Sequence, residues 1–203
     1  MLGGIKKTHV YSTVRPDFRA LALAARIALW KDDDILREIA AELERDGIVI
    51  CESTFGLEGI LVEEGPLTSR QPSKKEWADI RYGWDIAQET GRLDIGQCVV
   101  VKDRVIVAVE AVEGTDGAIK RGGELAKDGA VVVKRSKPQQ DMRFDLPAVG
   151  PRTIDVMASV KASVLAVEAG RTVVLDRDEL VSQAERAGIA VVGIAADSMK
   201  RDA

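Results

Sequence analysis

Residues 97–137 read QCVVVKDRVIVAVEAVEGTDGAIKRGGELAKDGAVVVKRSK, and the chain continues PQQDMRFDLPAVG to residue 150. Two β-rich runs flank Lys102-Asp103, a hairpin signal over 97–110. The second run feeds into the polar turn Glu113-Gly114-Thr115-Asp116. A short helix is expected over 115–126, with Thr115 or Asp116 able to cap it. A further apolar run, 130–134, reads as a strand that opens into an irregular loop over 136–151. Two strand ends thus deliver carboxylates, cations and small polar residues to loops, where binding groups concentrate. In open α/β sheets the ligand crevice lies beyond the carboxyl ends of strands.

Working outward, DFRALALAARIAL at 17–29 reads as a helix begun by Pro16 and Asp17. A second helix is expected over 34–46, with Ile35, Leu36, Ile39, Ala40 and Leu43 on one face and Gly47 as its C-terminal stop. Residues 48–51, Ile-Val-Ile-Cys, then read as a buried strand. The glycine- and proline-bearing segment 52–72 is the candidate linker. Ser73-Lys74-Lys75-Glu76 is a capping-box pattern. The helix after it carries Trp77, Ile80 and Trp84 at helical spacing, either a core stripe or a platform for stacking a base. Beyond the loop, a helix is expected over 153–169, a strand over 172–175, a helix over 179–187 and a last strand over 189–194. Alternating strands and helices predict an α/β layer with a partly parallel sheet.

The 203 residues carry a net charge of −4, with 46% hydrophobic and 31% charged residues. That balance suits a globular protein and argues against a broad nucleic-acid face. No apolar run reaches the roughly 18–20 residues that span a bilayer, and the N-terminus lacks a signal-peptide core. A cytoplasmic location is expected. Cys51 and Cys98 each adjoin an apolar run and are read as small buried residues. The single histidine, His9, sits in a polar segment and is read as a surface residue. Histidine-rich zinc sites and a serine–histidine triad are therefore disfavoured. Any metal would be a hard cation on oxygen ligands, such as Mg²⁺.

Thr115 and Asp116 are either ordinary caps or a phosphate and metal contact at a helix start. Lys137 and Arg143 suit phosphate oxygens. Asp145, between Phe144 and Leu146-Pro147, is expected to be partly desolvated, either salt-bridged to Arg143 or Lys137 or catalytic. Lys120-Arg121 and Lys134-Arg135 are solvated faces or additions to a phosphate site. Neither GxxxxGK[ST] nor GxGxxG occurs.

Taken in order, Leu93-Asp94-Ile95-Gly96-Gln97, then residues 110–116, then residues 137–150, and finally Ala190-Val191-Val192-Gly193 resemble the LpxI-type UDP-2,3-diacylglucosamine pyrophosphatases. The resemblance implies a two-domain protein. Residues 1–65 would be the remnant of a Rossmann-like N-terminal portion plus linker, and 66–203 a C-terminal α/β catalytic domain with a mixed sheet. The family's glycine-rich first strand–turn–helix is expected to be missing, which leaves the activity of so short a form to be tested. A homodimer is one expected way to cover apolar surface left by that loss.

The implied reaction is Mg²⁺-dependent hydrolysis of UDP-2,3-diacylglucosamine to UMP and 2,3-diacylglucosamine 1-phosphate (lipid X), in lipid A biosynthesis. The setting would be the cytoplasmic face of the inner membrane of a Gram-negative bacterium, with no nucleic-acid partner. Carried onto this sequence, Asp145 would be the essential carboxylate. Asp145 and Asp116 would hold the metal, with Thr115 beside them. Glu113, Gly114, Lys137, Gln140, Arg143 and Gly150 would contact substrate. The alternative is an α/β module that binds a nucleotide sugar or phospholipid without turnover.

Overall fold

The computed structural model describes residues 32–57 and 59–200. The helix expected over 17–29 and His9 lie outside the described residues. The chain divides into two compact units. The smaller holds the described residues up to Gly56 together with Asp141–Asp145. The larger holds 57–140 and the residues from Leu146 onward.

In the smaller unit, helix α1 spans Asp32–Arg45. Gly47 follows it at φ 79°, in the left-handed region that glycine adopts without strain. The Gly47 amide donates to Glu44 O at 3.0 Å and the Ile48 amide to Leu43 O at 3.1 Å, closing a Schellman cap. The strand expected over 48–51 does not form. Ile48 and Val49 are 49% and 82% exposed, and Cys51 is exposed rather than buried. Among the described residues no strand runs beside this segment, so its backbone has no ladder to join. A short apolar run alone does not specify a strand.

The larger unit is a three-layer α/β structure. Its strands are β1 (Gly65–Pro66), β2 (Cys98–Lys102), β3 (Val105–Val109), β4 (Val131–Lys134), β6 (Val164–Glu168) and β8 (Ala190–Ile194). They form one mixed sheet in the order β1-β8-β6-β4-β2-β3. The trio β4, β6 and β8 is parallel, and β1, β2 and β3 run antiparallel to their neighbours. Two short strands, β5 (Ala148–Val149) and β7 (Val173–Val174), pair separately and in parallel.

Alternate strand residues face opposite layers, as the period of two requires. Val99, Val101, Val131, Val133, Val164 and Ala166 pack with Ile80, Trp84 and Ala87 of helix α2 (Lys74–Arg92). Val100, Val132, Leu165, Val167 and Val191 pack against the other side. There they meet Ile119 of α3 (Gly114–Ala126), Ile154 and Met157 of α4 (Pro151–Ser159), and Leu180 and Ala184 of α5 (Arg177–Ala187). The Trp77-Ile80-Trp84 spacing is therefore a core stripe, with Trp84 and Ile80 fully buried. Gly122 lets α3 lie against the sheet: a Cβ there would come within 2.6 Å of Val100.

Local chemistry explains several element ends. Ser73 caps α2: its Oγ accepts from the Glu76 amide at 3.3 Å, and Glu76 Oε2 accepts from the Ser73 amide at 2.8 Å. The β2–β3 turn places Asp103 and Arg104 at φ 53° and 60°, the twist that a tight hairpin needs. Neither is glycine, and the buried Asp79 carboxylate compensates by accepting both turn amides at 3.1 and 2.6 Å.

The helix expected over 153–169 is two elements. α4 ends at Ser159, Lys161 takes φ 55°, and β6 follows. β6 is buried at every position, between β4 and β8. A strand covered on both faces is a continuous apolar run, and its valines happen to extend the helical spacing of α4.

Candidate functional site

One edge of the larger unit's sheet collects the polar groups. β4 and β6 end there at Lys134 and Glu168. Because β2 is antiparallel to β4, with Cys98 opposite Lys134, β2 begins and β3 ends at the same edge. Gln97 and Glu110 therefore arrive beside Lys134. Between the strands Cys98 is fully buried, and burial pushes its thiol up to about 12, far from a nucleophile's range.

Lys134 is 5% exposed. Its Nζ donates to Thr115 Oγ1 at 3.1 Å and to Ala148 O at 2.8 Å. Thr115 Oγ1 in turn donates to Glu110 Oε1 at 2.9 Å, and Glu110 Oε2 accepts from the Gln97 amide at 3.3 Å. Neither Thr115 nor Asp116 caps α3. The cap position is Glu113, which makes no side-chain cap bond. Glu113 instead pairs with Arg121 and accepts from the Ala111 amide at 3.2 Å. The Arg121 hydrogen bond holds the Glu113 carboxyl below its usual range. Gly114 turns the chain into α3 at φ 77°.

Asp116 is ion-paired with the largely exposed Arg152 at 2.8 Å. Both line an open cleft of about 410 Å³, together with Ala148, Gly150, Leu175 and Asp176. Gly150 precedes α4, and its amide donates to Thr153 Oγ1 at 3.3 Å.

The residues after Lys134 face the other layer. Arg135 lies 4.4 Å over the Trp84 ring and donates to Trp84 O at 3.1 Å and Gln88 Oε1 at 3.2 Å. Glu168 Oε1 is 3.7 Å from its guanidinium, and Glu168 Oε2 accepts from the Ser136 amide and hydroxyl at 2.9 and 2.6 Å. Arg171 donates to Ser136 Oγ at 3.2 Å. Burial lowers the Arg135 pKa, and Glu168 opposes that shift. Lys137 Nζ donates to Asp94 Oδ1 at 2.8 Å, and its amide donates to Gln140 Oε1 at 2.9 Å. Gln139 bonds Gly91 O at 2.9 Å. The Leu93–Gln97, 110–116 and 137–140 blocks thus meet at one sheet edge.

In the smaller unit, Arg143 donates from Nε and Nη2 to Asp141 at 3.0 and 2.8 Å, and from Nη1 to Glu44 at 2.9 Å. Arg143 is therefore committed to Asp141 and Glu44. Its hydrogen bonds hold the Asp141 carboxyl below the usual range. Asp145 is exposed, not desolvated by its apolar neighbours. Its amide donates to Asp141 O at 3.2 Å, closing a turn.

Among the described residues, no three His, Cys, Asp or Glu side chains gather as a metal-ligand set. The cleft does offer Asp116, an oxygen donor. Mg²⁺ characteristically takes one or two protein carboxylates and completes its shell with water and substrate phosphate, so the donor type fits a hard cation.

Sequence reasoning left Glu110, Ser136 and Glu168 without a role and treated Lys134-Arg135 as an accessory pair. Glu168 was hidden inside the helix expected over 153–169. The signal available for the others was a charged residue at the end of a continuous apolar strand, where burial forces it to find a partner.

Residues 63–192 match the LpxI C-terminal domain and residues 1–60 the LpxI N-terminal domain. The UDP-2,3-diacylglucosamine pyrophosphatase LpxI of Caulobacter vibrioides is 35% identical over 198 residues, covering 89% of this chain and 71% of that relative. On this similarity, and on motif blocks that converge at one sheet edge, the chain belongs to the LpxI family.

Proposed function

We propose that this chain hydrolyses the pyrophosphate of UDP-2,3-diacylglucosamine, releasing UMP and 2,3-diacylglucosamine 1-phosphate. The observation that carries the reading is the 35% identity, over 89% of the chain, to a relative bearing that activity in its name. The edge chemistry supports it. Asp116, the start of α3 and the start of α4 border one open cleft, and helix starts favour phosphate oxygens. The reaction would take place in the cytoplasm, at the membrane face that presents the acylated substrate.

Asp145 is the proposed essential carboxylate, and its exposure leaves it accessible to solvent. Asp116 and Thr115 are proposed for the phosphate side, with Gly114 and Gly150 letting backbone approach the substrate. Asp116 and Asp145 are the carboxylates proposed to hold Mg²⁺. When bound, the ion would supply Lewis-acid polarisation of the phosphoryl group and a more acidic water. Glu113, Lys137 and Arg143 already hold Arg121, Asp94 and Asp141. Any contact they make with substrate competes with those pairs. Gln140, whose carbonyl accepts from the Lys137 amide, is proposed as a further substrate contact.

The test is UMP release from UDP-2,3-diacylglucosamine with Mg²⁺, after chelation, and by Asp145→Ala. Activity should require the ion and fall by about 10³-fold or more in the variant, the scale of losing an essential group. Full turnover by Asp145→Ala would remove that residue from the mechanism. Substrate binding by the wild type without UMP release would favour a binding module.

A further inference from the structure

Lys134 differs from the other cations of the sheet edge. Lys137, Arg121 and Arg152 reach partially exposed carboxylates, whereas Lys134 is buried and bonds two uncharged oxygens. Those oxygens belong to separate segments. Thr115 is in the first turn of α3, next to Asp116, and Ala148 begins β5, which leads through Gly150 into α4. Asp116, Ala148 and Gly150 all line the cleft, while Lys134 is not among its lining residues. One ammonium behind the wall thus ties together two of the segments that form it.

The neighbouring groups are arranged to satisfy that ammonium. A buried ammonium needs acceptors for its N–H groups. The hydroxyl proton of Thr115 goes to Glu110, so the Thr115 oxygen is turned toward Lys134 as an acceptor. Glu110, 8% exposed, is a counter-charge one residue removed.

We propose that Lys134 is a positioning residue for the phosphate site, holding the Thr115–Asp116 turn and the 148–150 segment on one cleft, with Glu110 as its counter-charge. This rests on the pyrophosphatase reading for its catalytic consequence but not for the structural link. Lys134→Met preserves length and removes the donors. Should it not fold, Glu110→Gln weakens the same chain from its other end. Lys134→Arg keeps charge and donors.

Amide hydrogen exchange and steady-state UMP release are measured on the same samples. In Lys134→Met, exchange should quicken in both 113–118 and 148–153 by about tenfold or more, and stay unchanged in β6 and α2. Turnover should drop by about 10²-fold in kcat, with KM little changed, as for groups misplaced by about an ångström. Lys134→Arg should recover most of that loss. Unchanged exchange in both segments overturns the link. Unchanged kcat in an active protein overturns the catalytic consequence. A wild type that releases no UMP removes the pyrophosphatase reading, and the exchange result still decides whether Lys134 joins the two segments.

Discussion

Arg135 with Glu168 in the larger unit, and Arg143 with Asp141 in the smaller, are both guanidinium–carboxylate pairs. The first spans 3.7 Å between side chains 7% and 3% exposed, and the second 2.8 Å between side chains 29% and 20% exposed. Distance would rank the second as stronger, whereas burial reverses the order of what each pair means for stability. For Arg135 the dominant influence is loss of water, which lowers its pKa, and Glu168 compensates together with the Trp84 ring. For Arg143 it is the hydrogen bond to Asp141, which raises its pKa. A partly solvated pair contributes little because water replaces either partner. Removing one partner of a buried pair strands the other.

The largest expected effect follows from that asymmetry. Glu168→Ala removes the carboxylate that faces Arg135 and the acceptor of both Ser136 bonds, and should lose about 3–5 kcal/mol in urea unfolding. A loss below about 1 kcal/mol would mean that the buried pair behaves like a surface pair. Gly122→Ala comes next. A helix interior gains up to about 1 kcal/mol from that change, but the new Cβ meets Val100, and overpacking costs about 1–3 kcal/mol. Net destabilisation in the same assay is expected, and a more stable variant would show that α3 can move off the sheet. Asp141→Asn is the smallest, at about 1 kcal/mol or less near neutral pH. The folded Asp141 carboxyl titrates below its unfolded value. Its contribution is therefore complete above about pH 4, the unfolded carboxyl range, and disappears as pH falls through the folded value. The wild-type advantage over Asp141→Asn should shrink on acidification. An advantage that grows in acid would contradict the assigned pairing.

What could be read from the sequence was whatever depends on neighbours in the chain. The capping box at Ser73, the hairpin about Lys102-Asp103, the stop at Gly47 and the stripe of α2 are all decided within a few residues. The α/β class followed from their alternation. The misread elements depend on distant partners. Residues 48–51 have strand composition but no ladder, while β6 has strand geometry only because β4 and β8 flank it. The site divides in the same way. Thr115 and Asp116 stood out by residue type at a helix start, although their bonds go to Lys134, Glu110 and Arg152 rather than to the helix. Glu110 and Glu168 acquire meaning only when antiparallel and parallel registers bring strand ends to one edge. Asp145 was placed in an apolar frame by its neighbours in sequence, but it is exposed, in a turn closed by Asp141 O.

The position of β8 has a consequence for how the larger unit is made. β8 is not an edge strand: it lies between β6 and β1, so residues 192–193 pair with 65–66. During synthesis the β2–β3 hairpin can form as soon as it emerges, and β4 can join it. β1 has to wait, without its sheet neighbour, until some 125 further residues have been made, a delay of roughly ten seconds at typical elongation rates. Once residues 164–168 have been made, the β6 edge is an open, apolar template until β8 follows. β8 closes it, and removal of residues 190–194 would leave that template permanently exposed.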